Sequence, residues 1–219
     1  MHQTAIDFLT SGNVSLEGIF TTPERNRDWF PTLVVCHPHP MLGGNMEHGL
    51  VTTICRVAYR EGFGSLRFNF RGVGRSQGEF IEGGTEQDEI KAALDIVQLM
   101  KGSDPTKLAL IGYSFGAAAI LRGLRKSKAA KSLAFVAPPV AAVRDSRIRG
   151  DKRPKLFVVG RDDRVVPSTD LQRVLDDVRK PVRFHEVRGA NHSFDEQRDD
   201  VAERVVEFML ETLKVDSLS

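Results

Sequence analysis

The chain has 219 residues, of which 41% are hydrophobic and 27% are charged. That length and composition suffice to bury a sizeable core and exclude a disordered protein. Its 31 basic and 29 acidic residues leave a formal charge of +2, which argues against a nucleic-acid or membrane-surface partner. We therefore expect one domain spanning residues 1–219.

The two cysteines, Cys36 and Cys55, lie in apolar segments and form no metal or redox motif. They are typical of small buried hydrophobic residues in a reducing compartment. The N-terminus lacks the basic start and apolar stretch of a secretory signal, and no segment approaches the ~18 apolar residues of a membrane span. A cytoplasmic location is expected.

The chain begins with two short segments, TAIDFL and VSLEGIFTTP, which predict an antiparallel pair at a sheet edge. Beyond them, apolar runs alternate with amphipathic stretches. The runs predict strands at residues 32–37, 64–70, 107–113, 132–138, 155–160 and 182–187. The 3.6-residue periodicity of the stretches predicts helices at residues 46–60, 85–100, 115–126, 167–179 and 195–214.

This alternation predicts an α/β fold, a mostly parallel doubly wound sheet of about eight strands with helices on both faces. Ligands of such sheets bind outside the carboxyl ends of the strands. The stretch at residues 138–154 is too short for a lid, so we expect no cap domain and an open pocket. Its basic side chains favour a solvated charged loop over an anion site; they are Arg144, Arg147, Arg149, Lys152 and Arg153.

Three strand-end segments carry the residue types of a nucleophilic site. Residues 112–116 read GYSFG, and glycines on both sides allow Ser114 to stand on a sharp turn between a strand and a helix. A serine nucleophile needs a base, and the base needs an orienting carboxylate. Asp162 and Asp163 follow one strand and His192 follows the next, giving the order Ser, Asp, His.

The segment LVVCHPHPMLGG allows two interpretations. His37 and His39 have a spacing at which two imidazoles could bind one metal ion. Alternatively, the segment is a stiff loop whose backbone serves a metal-free site. A catalytic metal would need a third ligand, and Asp163 and His192 are better explained as partners of Ser114.

The chain resembles the α/β-hydrolase family over nearly its whole length. GYSFG resembles the nucleophile elbow, and residues 160–167, a G-x-x-D-x-x-V-P pattern, are similar to the acid loop and select Asp163 over Asp162. HPHP with its following GG, RFNFRGVGRSQG and GYSFG together resemble small uncapped hydrolases related to dienelactone hydrolases and bacterial carboxylesterases. Dienelactone hydrolases proper are expected to use a cysteine where this chain has Ser114.

The resemblance implies a serine hydrolase of small carboxylic esters, with no cofactor and no metal. Ser114 is then the nucleophile, His192 its base and Asp163 the orienting acid. The backbone N–H groups of Phe115 and His39 are the implied oxyanion hole, because the prolines beside His39 have no N–H. Lactone or dienelactone, thioester and peptide-like amide hydrolysis remain alternatives, as does a non-catalytic binding protein. The oligomeric state stays open, and a homodimer is compatible.

Overall fold

The computed structural model describes residues 1–24 and 28–214, and within these ranges the chain forms eight strands and six α-helices. The strands are β1 (His2–Leu9), β2 (Ser15–Thr22), β3 (Phe30–Cys36), β4 (Gly64–Phe68), β5 (Ser103–Tyr113), β6 (Ala130–Val136), β7 (Lys155–Gly160) and β8 (Val182–Val187). The helices are α1 (Gly49–Arg60), α2 (Glu86–Leu99), α3 (Phe115–Arg122), α4 (Val140–Asp145), α5 (Ser168–Leu175) and α6 (Arg198–Thr212). None of these helices is long and apolar enough to cross a membrane.

All eight strands belong to one sheet in the order β1-β2-β4-β3-β5-β6-β7-β8. β1 pairs antiparallel with β2, and β2 antiparallel with β4, whereas every other neighbouring pair is parallel. The predicted antiparallel edge and mostly parallel sheet are thus confirmed. The chain passes from β3 to β4 on one side and then from β4 to β5 on the other side of β3, so the connections diverge there and open a crevice at the carboxyl end of β3.

Two apolar layers enclose the sheet. Successive side chains of β3 alternate between them, so that Leu33 and Val35 pack against α1 and α6 while Val34 and Cys36 face α2 to α5. Every residue of β3 is buried, which explains why it reads as a continuous apolar run.

Several element boundaries differ from the prediction. The predicted helix at residues 46–60 begins only at Gly49, because the Nδ1 of His48 accepts the Leu50 N–H and caps the helix. The helix predicted at residues 115–126 ends before Gly123, a residue that weakens helices. In the described residues, the stretch at 138–154 adds no cap domain, but it forms α4 and a 3₁₀ turn at Arg147–Gly150 rather than a plain loop.

Candidate active site

Ser114 occupies the sharp turn between β5 and α3. Its backbone angles, φ 52° and ψ −109°, lie in a region that residues other than glycine rarely adopt and that costs about 1–3 kcal/mol. Its amide donates to the Val136 carbonyl oxygen at 2.8 Å, which ties the turn to the end of β6. The turn therefore presents the hydroxyl at the carboxyl edge of the sheet.

Two glycines permit this turn by close approach. A Cβ atom on Gly112 would lie 2.5 Å from the Ala117 nitrogen, and one on Gly116 would lie 2.4 Å from the Cys36 carbonyl oxygen. Real Cβ atoms essentially never come so near to backbone atoms. The N-terminus of α3 consequently packs directly against the end of β3 and the loop that follows it.

The three predicted side chains form one hydrogen-bonded line. His192 Nε2 lies 3.1 Å from Ser114 Oγ, and His192 Nδ1 lies 2.8 Å from Asp163 Oδ2. The other carboxylate oxygen accepts the N–H groups of Val165 and Val166, each at 2.8 Å. The Asp163 side chain is fully buried, whereas that of His192 is 27% exposed.

This geometry fixes the tautomer that the line requires. The buried Asp163 carboxylate can only accept from Nδ1–H, which leaves the Nε2 lone pair of His192 facing the Ser114 hydroxyl. Such a line can move the hydroxyl proton onto the imidazole while the oxygen attacks an electrophile. Asp162, the other acid considered, is exposed at the surface.

Tyr113 holds the loop that carries His192, a contact that sequence reasoning missed. Its hydroxyl donates to the His192 carbonyl oxygen at 2.7 Å, from a ring that is almost fully buried. Burial, with a nearby Asp163 carboxylate, raises the pKa of Tyr113, so the hydroxyl remains a donor. The contact spans 79 residues of chain, so no local pattern indicates it.

The two residues proposed to supply the oxyanion donors, Phe115 and His39, contact each other through their side chains. Phe115 is the first residue of α3, and the first N–H groups of a helix have no carbonyl one turn back to bond. The His39 ring packs edge-on against the Phe115 ring, with 5.2 Å between ring centroids. His39 Nδ1 accepts the Met41 N–H at 3.1 Å, and its Nε2 lies 3.4 Å from a Glu82 carboxylate oxygen.

Both ring nitrogens of His37 form hydrogen bonds with the backbone. Nδ1 donates to the Pro38 carbonyl oxygen at 2.7 Å, and Nε2 accepts the Phe70 N–H at 3.2 Å. Burial lowers the pKa of His37 to about 4, which keeps the ring neutral. With both nitrogens engaged, His37 has no lone pair to offer a metal, and the described residues contain no metal-binding group of three His, Cys, Asp or Glu.

Two cavities that share no lining residue bear on the site: Asp163 and His192 line the first, and the second comes within one helical turn of Ser114, at Ala118. One, of about 740 Å³, is lined by the acid loop and the loop that carries His192, including Arg164 and Ser193. The other, of about 670 Å³, runs along α3 and is bordered by Glu82 and Pro139. We call the second cavity the α3 groove.

The sheet order, the turn at Ser114 and the open carboxyl edge together define an α/β hydrolase without a lid. A family model for the dienelactone hydrolase family matches residues 79–215. The chain belongs to this family. The matched region contains all three members of the hydrogen-bonded line, but it does not contain the HPHP segment.

Known structures and sequences agree with this assignment. An α/β serine hydrolase without lid from Xanthomonas campestris is 27% identical, with 96% of this chain and 94% of that chain covered and a TM-score of 0.82. An α/β serine hydrolase homologue from Coxiella burnetii is 31% identical, with coverages of 94% and 97% and a TM-score of 0.79. An uncharacterised protein of Rickettsia prowazekii is 26% identical over 188 residues, covering 82% of this chain and 79% of its own length.

Proposed function

We propose that the chain is a cofactor-free serine hydrolase that cleaves small carboxylic esters through an acyl-enzyme. One observation carries the proposal: the line from the Ser114 hydroxyl through His192 to the buried Asp163 carboxylate. The strained turn at Ser114 supports it, because strain of this kind persists where the surrounding structure imposes it and is common at active sites.

In the proposed reaction, Ser114 Oγ attacks the ester carbonyl carbon while His192 Nε2 takes the hydroxyl proton. The tetrahedral intermediate collapses, the carbon–oxygen bond to the alcohol breaks, and His192 returns the proton to the leaving oxygen. Water then attacks the acyl-enzyme with the same proton transfers and releases the acid. Asp163 holds the imidazole orientation and stabilises its cation.

The negative oxygen of the intermediate would be held by the N–H groups of Phe115 and His39. The N-terminal end of α3 adds the positive end of a helix dipole at the same place. Loss of one such donor typically costs about 10²–10³ in rate. The HPHP segment would therefore matter through its backbone, with His37 fixing its conformation.

Lactone hydrolysis is the second candidate, and membership of the dienelactone hydrolase family favours it. Lactones, thioesters and amides share the acyl chemistry of esters, so these residues alone do not rank them. Initial rates on a matched panel of an acyclic ester, a lactone, a thioester and an anilide would rank them directly.

The proposal is tested with the purified chain, short p-nitrophenyl esters and a fluorophosphonate probe. We expect ester turnover, probe attachment mapped to Ser114, and a loss of at least ~10³ in kcat for Ser114→Ala. Ser168→Ala is the matched control, because Ser168 begins α5 after the acid loop and should leave turnover unchanged. Unchanged turnover in Ser114→Ala would sink the proposal, because another group would then carry the reaction. No turnover of any ester by the wild type would leave a binding protein on the same scaffold.

A further inference from the structure

The α3 groove has an apolar floor. Its lining includes Ala118, Leu121 and Leu124 from α3 and the turn after it, and Pro139 and Ala142 at the start of α4. One end lies close to the proposed machinery, because Ala118 lines the groove one helical turn after Ser114 and Glu82, which also lines it, bonds His39. This is the end at which an acyl group attached to Ser114 would enter the groove.

The geometry assigns the acyl group to the α3 groove and the alcohol to the other cavity. His192 returns its proton to the leaving oxygen, so the alcohol departs on the side of His192. The cavity of about 740 Å³ is lined by His192 itself and by the neighbouring Ser193. The α3 groove lies beside the helix that Ser114 precedes, and it contains neither residue.

Three of the charged side chains that line the groove have ion-pair partners. Arg122 pairs with Glu86, and Lys126 pairs with Asp88. Of the two acids that line it, Asp145 pairs with the adjacent Arg144, and Glu82 hydrogen-bonds the ring of His39.

The far end of the groove carries surplus positive charge. Arg125 and Arg147 line both the groove and an adjoining cavity of about 590 Å³, to which Lys128 and Lys152 also contribute. Among the described residues, none of these four basic side chains has an ion-pair partner, whereas Arg149 and Arg153 of the same segment pair with Asp177 and Asp151. The segment expected to be only a solvated charged loop is thus divided into paired and unpaired cations.

We propose that the preferred substrates are esters whose acyl arm is apolar and ends in an anionic group bound by Arg125 and Arg147. This inference rests on the proposed esterase function and adds the acyl specificity. The eight residues of α3 span about 12 Å, which sets the separation between the scissile carbonyl and the anion. A carboxylate and a phosphate monoester are both compatible with two guanidinium groups.

The kinetic test compares p-nitrophenyl half-esters of dicarboxylic acids with neutral p-nitrophenyl esters of equal chain length, from succinate against butyrate to sebacate against decanoate. We expect the ratio of kcat/KM, anionic over neutral, to rise with chain length to about tenfold and to fall with added salt. Arg125→Gln/Arg147→Gln should remove this preference. Arg149→Gln, a change of the same charge in the same segment, should keep it.

A ratio that does not depend on chain length would mean general attraction to a basic surface, and it would overturn the proposal. An equal ratio in the wild type and in the double variant would overturn it as well. Phosphate-ended acyl esters in the same assay distinguish the two anions: the one with the larger ratio is the preferred end group.

A binding measurement separates this proposal from the proposed function. Calorimetry with Ser114→Ala and free sebacate needs no turnover, and we expect the Kd to rise about tenfold when Arg125→Gln/Arg147→Gln is added. Binding that depends on these arginines, without hydrolysis of any ester by the wild type, would retain the groove and reject the esterase. Hydrolysis without such binding would reject the groove alone.

Discussion

At the scale of single residues, the reactive groups are held by contacts that reach across the sheet. Asp163 receives two backbone N–H groups in addition to His192, so its carboxylate cannot rotate away. His37 joins the HPHP segment to the backbone after β4. Tyr113 anchors the loop after β8 from the end of β5. These contacts orient three groups of the proposed reaction: the Asp163 carboxylate, the HPHP backbone and the His192 imidazole.

Tyr113→Phe should lower kcat more than it raises KM. The variant keeps the ring and loses only the hydrogen bond to the His192 carbonyl, so the imidazole spends less time in line with Ser114. We expect about a tenfold fall in kcat and about 1 kcal/mol of lost stability. Steady-state kinetics and urea unfolding measure both. Tyr59→Phe is the matched control, and an equal effect there would contradict the positioning role.

The lowered pKa of His37 predicts that the free energy of unfolding falls at acid pH. Its folded pKa of about 4 lies below the ordinary 6.5, so between these values the unfolded chain binds more protons than the folded one. The free energy of unfolding should therefore drop, by up to about 3 kcal/mol, as the pH falls from 6.5 through 4. The contribution is fully present above pH 6.5.

His37→Gln isolates this contribution, because an amide can both accept the Phe70 N–H and donate to Pro38 without titrating in this range. Urea unfolding of both proteins at several pH values gives the difference in free energy. The difference should shrink toward acid pH. A difference that is constant from pH 7 to pH 4 would show that His37 is not responsible.

The candidate residues could be predicted from the sequence more fully than the contacts that hold them in place. Ser114, Asp163 and His192 each follow a strand, and parallel strands end at one edge, so their convergence could be predicted. Their catalytic roles stay a prediction. The contact of Tyr113 could not be predicted in the same way, because it depends on the exact positions of the end of β5 and the loop after β8, which are far apart in sequence.

At the scale of elements, the site depends on the packing of α3 against the end of β3. The pairing of Cys36 with Gly112 places the HPHP segment beside the turn at Ser114. Long periodic elements such as α2 and α6 could be predicted from their apolar spacing. α4 was missed because its six residues give less than two turns of periodicity, with Val143 as its one buried residue.

Gly116→Ala should push α3 away from the end of β3. The added methyl group would lie 2.4 Å from the Cys36 carbonyl oxygen and 2.8 Å from that of His37, and backbone atoms cannot yield as a side chain does. We expect about 2–4 kcal/mol of destabilisation and a loss of turnover in the molecules that still fold. Gly150→Ala is the control, since its added methyl would contact nothing within 4 Å. Equal stability of the two variants would contradict the close-packing argument.

At the scale of the whole molecule, exposed apolar side chains concentrate around the site. Among the described residues, eight large hydrophobic side chains are strongly exposed, and four of them lie on loops at the carboxyl edge of the sheet: Met41, Leu42, Ile81 and Val165. Met41 and Leu42 follow the HPHP segment, and Ile81 precedes Glu82, which bonds His39. Val165 lies in the acid loop. With no lid above the site in the described chain, we expect these side chains to be the apolar surface that a substrate meets first.

Met41→Ser/Leu42→Ser should therefore weaken the binding of apolar esters without weakening the fold. The two side chains are 76% and 86% exposed, so their loss removes little buried area and the unfolding free energy should change by less than about 0.5 kcal/mol. We expect KM for p-nitrophenyl hexanoate to rise about three- to tenfold with kcat nearly unchanged, the pattern of lost uniform binding. Leu99→Ser, equally exposed at 80% but at the end of α2, should leave KM unchanged. A matching rise in KM for Leu99→Ser, or a fall in kcat alone for the double variant, would show that the surface around the site does not contact the substrate.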